Sequence, residues 1–209
     1  LGVSPQQQMN WKQYSLAFVV SCIFLAVAIL AIFMTQAWLP LNPNHAPNMS
    51  WDLALHTVIS FLTNTNQQHY SGQAQLSYLS QMTGIVGLQV ITPMMGLALV
   101  VATLRAFFYQ RPSHITADVA EQPDQILIGN YWADVIRPTV RFLLPLCFVW
   151  SLLLNSQGVP ATFQGGPEVQ LIDKANTVQT QKIPLGPVAP MVAIKQLGSN
   201  GGGWYGPNS

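Results

Sequence analysis

The chain has 209 residues, half of them hydrophobic, and its eight Lys and Arg against seven Asp and Glu leave it 7% charged with a formal net charge of +1. Soluble domains are about 25% charged, nucleic-acid binders cluster their Lys and Arg, and disordered chains are rich in charge and poor in apolar residues, so all three classes are excluded. The charge is also patchy, with uncharged gaps of 39 residues between Lys12 and Asp52, 52 between Asp52 and Arg105, and 26 between Arg141 and Glu168.

Residues 17–38 (AFVVSCIFLAVAILAIFMTQAW) are 22 in a row without charge, the length that about 30 Å of hydrocarbon requires of a helix. Trp38, Leu39 and Pro40 end the run where a signal peptide would need a small-residue cleavage site. Residues 85–104 predict a second span, kinked at Pro93. Residues 142–154 are only 13 apolar residues, so a third span must borrow 132–141 on one side or 155–162 on the other. Arg105, Arg111, Arg137 and Arg141 lie in or at the ends of the connection between spans two and three, which makes it cytoplasmic, as Lys12 makes the N-terminus. Residues 39–84 and the stretch after Leu154 then face outward. In the latter, residues 169–172 and 177–183 predict a hairpin turning at Lys174 and Ala175. Cys22 and Cys147 sit in apolar runs and read as small core residues, not as a disulfide or zinc ligands.

Between the first two spans, Ser50 is placed to cap a short helix, Asp52 suits its positive end, and Leu53, Leu55, Val58, Ile59 and Leu62 supply an apolar surface. About 12 residues cannot cross a bilayer, so this predicts a re-entrant half-helix. Thr63, Asn64, Thr65, Asn66, Gln67 and Gln68 follow it without a break. Irregular backbone at membrane depth survives only where it is buried or lines a watery path, and cation filters are made of such backbone at the negative end of a short helix. The rival reading is an ordinary polar external loop.

A second copy favours the filter. Residues 189–197 (APMVAIKQL) are short and helix-compatible, and Gly198, Ser199, Asn200, Gly201, Gly202 and Gly203 follow. An offset of 136 aligns Thr63 to Asn66 with Ser199 to Gly202 and sets Val58 opposite Ile194 and Phe61 opposite Leu197. Gly201, Gly203 and Gly206 fit the spacing of a dinucleotide-binding loop, but no strand precedes them and no acidic residue follows. His56 and His69 have no acidic or sulfur partner nearby and are poor candidates for a metal. The chain lacks an initial Met and stops at Ser209 inside the second motif, which predicts a piece of a larger protein.

The segments MNWKQY (9–14), LPLNP (39–43), SWDLALHTVISFLTNTNQQHYSGQ (50–73), LSYLSQMTG (76–84), LRAFF (104–108) and GPVAP with AIKQLGSNGGG (186–203) resemble the potassium-binding A subunit of the bacterial Kdp potassium-transporting P-type ATPase. The resemblance implies an all-α integral membrane fold of potassium-channel-like repeats, each a span, a pore helix with filter loop, and a span. Residues 1–13 would be cytoplasmic, 14–109 the first unit, 110–131 a cytoplasmic linker, and 132–209 a truncated second unit. It implies one filter strand at Thr63, Asn64, Thr65 and Asn66, with Gln68 at its mouth, and another at Ser199, Asn200, Gly201 and Gly202. Potassium (K+), held by backbone carbonyls, would be the only ion, and no residue here would be catalytic. The implied partners are the P-type ATPase subunit, small accessory subunits and the lipid bilayer of the inner membrane, with no nucleic acid. Two departures stand out: Ser199 and the Trp204, Tyr205, Gly206, Pro207 tail replace the usual threonine and Phe-Phe, and Gln73 replaces a mouth glutamate. The alternative is a stand-alone potassium channel or secondary transporter; a membrane scaffold with no ion path is the rival from another class.

Overall fold

The structure is a computed structural model and describes residues 4, 6–108, 126–172, 180–198 and 201–206. Five helices organise it: α1 (Trp11–Thr35), α2 (Trp51–Leu62), α3 (Tyr78–Phe107), α4 (Tyr131–Ser156) and α5 (Val188–Leu197). Among the described residues three are long and apolar enough to cross a membrane: α1 with its 3₁₀ extension to Trp38, α3 and α4. Their faces agree with that, since Leu16, Ile23, Phe24 and Val27 of α1 and Phe142, Phe148 and Leu152 of α4 are all exposed. Apolar side chains turned outward need lipid around them.

α1 begins earlier than the apolar run because Asn10 and Gln13 close a reciprocal capping box, satisfying two donors at the helix start. The third span takes its extra length from the N-terminal side. Arg137 and Arg141 therefore lie within the helix, whose π-helical turn at Thr139–Leu143 falls between Pro138 and Pro145, where the ladder lacks two donors. Asp134 in its first turns is neutralised by Arg105 of α3, whose Nη2 lies 2.9 Å from Asp134 Oδ1, and accepts from the Tyr14 hydroxyl at 3.1 Å. That cluster joins α1, α3 and α4 at one end of the three long helices. Beside it, β1 (Met9–Asn10) pairs with β2 (Leu127–Gly129), an antiparallel contact with no signal in the hydropathy.

α3 is continuous from Tyr78, seven residues before the predicted start, and carries a π-helical turn at Gln81–Val86. Gly84 in that turn lets α1 approach: a Cβ there would collide with the Phe33 ring. Pro93 lies inside the helix, as expected, and has no N–H to donate to the carbonyl of Gln89. The predicted hairpin forms as β3 (Glu168–Gln170) and β4 (Thr180–Lys182), with Val169 opposite Gln181; its predicted turn at Lys174 and Ala175 lies outside the described residues.

The main core is assembled from α1, α2, α3 and α5 together: Ile29 and Phe33, Val58 and Phe61, Ile85 and Leu88, Val188 and Met191, closed by Trp204. The second short helix is thus seated against α1, α2 and α3, and this seating brings the two polar loops together.

Candidate functional site: two polar loops at the ends of short helices

α2 spans the predicted 12 residues. Ser50 occupies its N-cap position but makes no side-chain cap bond, which corrects the expected capping role; the Ser50 hydroxyl and the Leu53 amide beside the Asp52 carboxyl hold that acid below the usual carboxylate range.

At the other end the chain leaves the helix in a specific way. The amides of Thr63, Asn64, Thr65 and Asn66 turn back to the carbonyls of Ile59, Phe61, Ser60 and Ser60, at 3.0, 3.3, 2.9 and 3.0 Å. The Ser60 hydroxyl continues the pattern with the Gln67 amide at 2.6 Å and carbonyl at 3.0 Å. Thr63 is right-handed at φ −85, while Asn64 and Asn66 take the left-handed region at +59 and +55 with Thr65 between them outside it. Asparagine is among the few residues other than glycine that tolerate this region. Donors of the loop are used up against α2, and among the described residues no hydrogen bond ends on the carbonyl of Thr63, Asn64 or Thr65. A recess of about 470 Å³ runs along this side of α2, lined by His56, Ser60, Thr63, Thr65 and Gln67 among others.

The second short helix, α5, ends at Leu197, and residues 201–206 return toward the first loop. Ser199 and Asn200 lie outside the described residues. Gly201 and Gly202 are both left-handed, at φ +95 and +68, so Gly202 and its aligned partner Asn66 share that backbone region. The Gln68 side chain, 6% exposed, spans the gap between loops: its Nε2 donates to the Gly203 carbonyl at 3.0 Å and its Oε1 accepts from the Gly203 amide at 2.9 Å. Gln68 is thus a brace between the loops, with a donor and its acceptor both engaged at Gly203. Gln89 of α3 donates to the Gly201 carbonyl at 2.7 Å, so that carbonyl has one lone pair engaged by protein. Trp204 is fully buried against Tyr78, ring centroids 5.4 Å apart, in space left by Gly72 and Gly186, where a Cβ would strike Trp204. The bulky Trp204 in place of the usual aromatic pair is therefore a packed anchor.

The loop of Gly201, Gly203 and Gly206 follows a helix, not the strand a dinucleotide site requires. His56 and His69, 13 residues apart in the sequence, have ring centroids 4.6 Å apart at 56°, yet no group of three or more His, Cys, Asp or Glu side chains able to hold a metal ion occurs among the described residues. Gln73 lies in the one-turn helix Gly72–Gln75, its Oε1 buried without a hydrogen-bond partner among the described residues. Sequence reasoning missed the buried amides Gln36, Gln81 and Gln89, although an amide inside or beside an apolar span is itself a signal, because it is costly there unless used.

These features define a multi-pass membrane protein in which two short helices end at polar loops locked to each other. The chain belongs to the potassium-transporting ATPase A subunit family, whose model matches residues 1–209. It is 43% identical over 208 residues to a potassium-transporting ATPase potassium-binding subunit of Pseudomonas putida, 45% to that of Pseudomonas entomophila and 39% to that of Leptospira interrogans, each match covering all of this chain and 34% of the relative. The chain thus spans about a third of the length of the curated relatives it matches.

Proposed function

We propose that this chain contributes the first pore unit, residues 14–109, and the opening part of the second, residues 132–209, of a subunit that binds external potassium and delivers it across a bacterial inner membrane to an ATP-hydrolysing P-type partner. Residues 1–13 and 110–131 lie on the cytoplasmic side in this reading, and small accessory subunits complete the complex. Potassium is cargo here, and ATP hydrolysis belongs to the partner. Thr63, Asn64, Thr65 and Asn66 form one filter strand and Ser199, Asn200, Gly201 and Gly202 the other; Gln68 acts by tying them together.

The observation that carries the reading is the first loop's backbone: its amides are consumed by α2 while, among the described residues, the carbonyls of Thr63, Asn64 and Thr65 accept no hydrogen bond, at the helix end where the macrodipole is negative. Such an array offers a dehydrated monovalent cation oxygen ligands and no competing backbone amide. Family membership and the relatives' names support the pumped reading over a stand-alone channel or secondary transporter.

The full-length protein, purified from its host, should bring an ATPase subunit with it, and the reconstituted complex should take up potassium in preference to sodium only when ATP is present. Passive potassium flux without a partner would replace the pump by a channel. Absence of any potassium preference would remove the filter assignment.

A further inference from the structure

Gln89 and Thr92 lie three residues apart in α3 and so share a helix face. Both are buried, at 0% and 5% exposure, in a helix that otherwise reads as an apolar span. The Gln89 Nε2 reaches the Gly201 carbonyl at 2.7 Å. It also stands 3.4 Å from where a Cβ on Gly202 would be, so it walls one side of that glycine while the Phe61 ring walls the other. Thr92 Oγ1 lies 3.3 Å from Asn64 Oδ1 in the first loop and 2.8 Å from its own helix carbonyl at Leu88, so one hydroxyl proton is shared between helix and loop. One face of the second span therefore touches both loops, strongly at Gly201 and more weakly at Asn64.

We propose that Gln89 and Thr92 are positioning residues for ion selection: by bonding one loop each from a single rigid helix, they set where the oxygens of the two loops stand relative to each other. The inference rests on the proposed ion-binding role of the loops. Selectivity is a difference between two ions' binding free energies, so an oxygen displaced by loss of its brace affects ions of different radius unequally. A brace needed only for folding would alter assembly and leave that difference alone.

The test uses the full-length protein in its assembled complex and compares potassium, rubidium and ammonium as activators of transport. Gln89→Met keeps the volume and removes both polar atoms. It should raise the half-saturating potassium concentration about tenfold, the size expected from losing one buried hydrogen bond, and lower the preference for potassium over rubidium about fivefold, with a smaller change in maximal rate. Thr92→Val should lower the preference about twofold, and Thr92→Ser, which retains the hydroxyl, should restore the parent ratio. An assembled Gln89→Met complex with the parent's ion ratios overturns the proposal. If that variant fails to assemble, the Thr92 pair decides, and parent ratios in Thr92→Val overturn it equally. A parent complex with no potassium preference would instead sink the functional reading on which this one stands.

Discussion

The two polar loops occupy aligned positions along the chain, yet they hold their shapes by different means. The first is braced from within: its amides bond the end of α2, Ser60 clasps Gln67, the hydroxyls of Thr63 and Thr65 meet at 3.0 Å, and asparagines occupy its left-handed positions. The second, over residues 201–206, is held from outside: by Gln68 at Gly203, Gln89 at Gly201 and Gln81 at the Trp204 carbonyl, all from the first unit. Its left-handed positions are glycines, and at Gly202 there is no room for anything larger, since a Cβ would come within 2.9 Å of the Phe61 ring. The first loop keeps side chains at its left-handed positions, whereas at Gly202 the neighbouring Phe61 ring leaves no space for one.

Exchanging residues between aligned positions should break the symmetry most visibly. Gly202→Ala combines a left-handed alanine with overpacking against Phe61, and about 2–5 kcal/mol of destabilisation is expected. Gly201→Ala has no atom within 4 Å of its new methyl and should cost only the backbone penalty, about 1–2 kcal/mol. The reciprocal Asn66→Gly leaves its φ of +55 permitted and should cost less than about 1 kcal/mol. Thermal unfolding of the solubilised full-length complex ranks the three, and equal losses at 201 and 202 would remove Phe61 from the explanation.

The next largest effect belongs to the link between loops. Gln68→Leu strands a buried amide and a buried carbonyl at Gly203, which should cost about 2–4 kcal/mol and weaken potassium activation, read from the half-saturating concentration. The first loop's internal braces should matter less. Ser60→Ala removes both Gln67 bonds at an expected cost of about 1–2 kcal/mol. Thr63→Val, at an exposed hydroxyl bonded to Ile59 at 2.9 Å, should cost about 0.5 kcal/mol in unfolding experiments, and a larger loss than for Ser60→Ala would reverse the assigned order of braces.

Much of this architecture was legible in the residues. Long uncharged runs announce membrane helices because hydrocarbon penalises every charge, and this signal placed the first two spans and the 12-residue α2. The hairpin strands were visible through their flanking turn residues. The third span's extent was not decided by its composition, since Arg137, Arg141 and Pro138 depress any local estimate; it is α4 packing beside α3, with Asp134 paired to Arg105, that carries the helix back to Tyr131. Ser50 was in the right place to cap α2 but makes no side-chain cap bond, because residue type at an N-cap position does not by itself fix where the hydroxyl turns.

Taken alone, the sequence determined the membrane class, the short helices and the polar loops that end them, because hydropathy and turn preference act over a few neighbouring residues. Only the tertiary structure decided that Gln68 spends its amide on Gly203, 135 residues away, and Gln89 on Gly201, 112 away. No local rule assigns such partners. A buried amide must find a donor or acceptor somewhere, and which one it finds depends on how the helices have already packed.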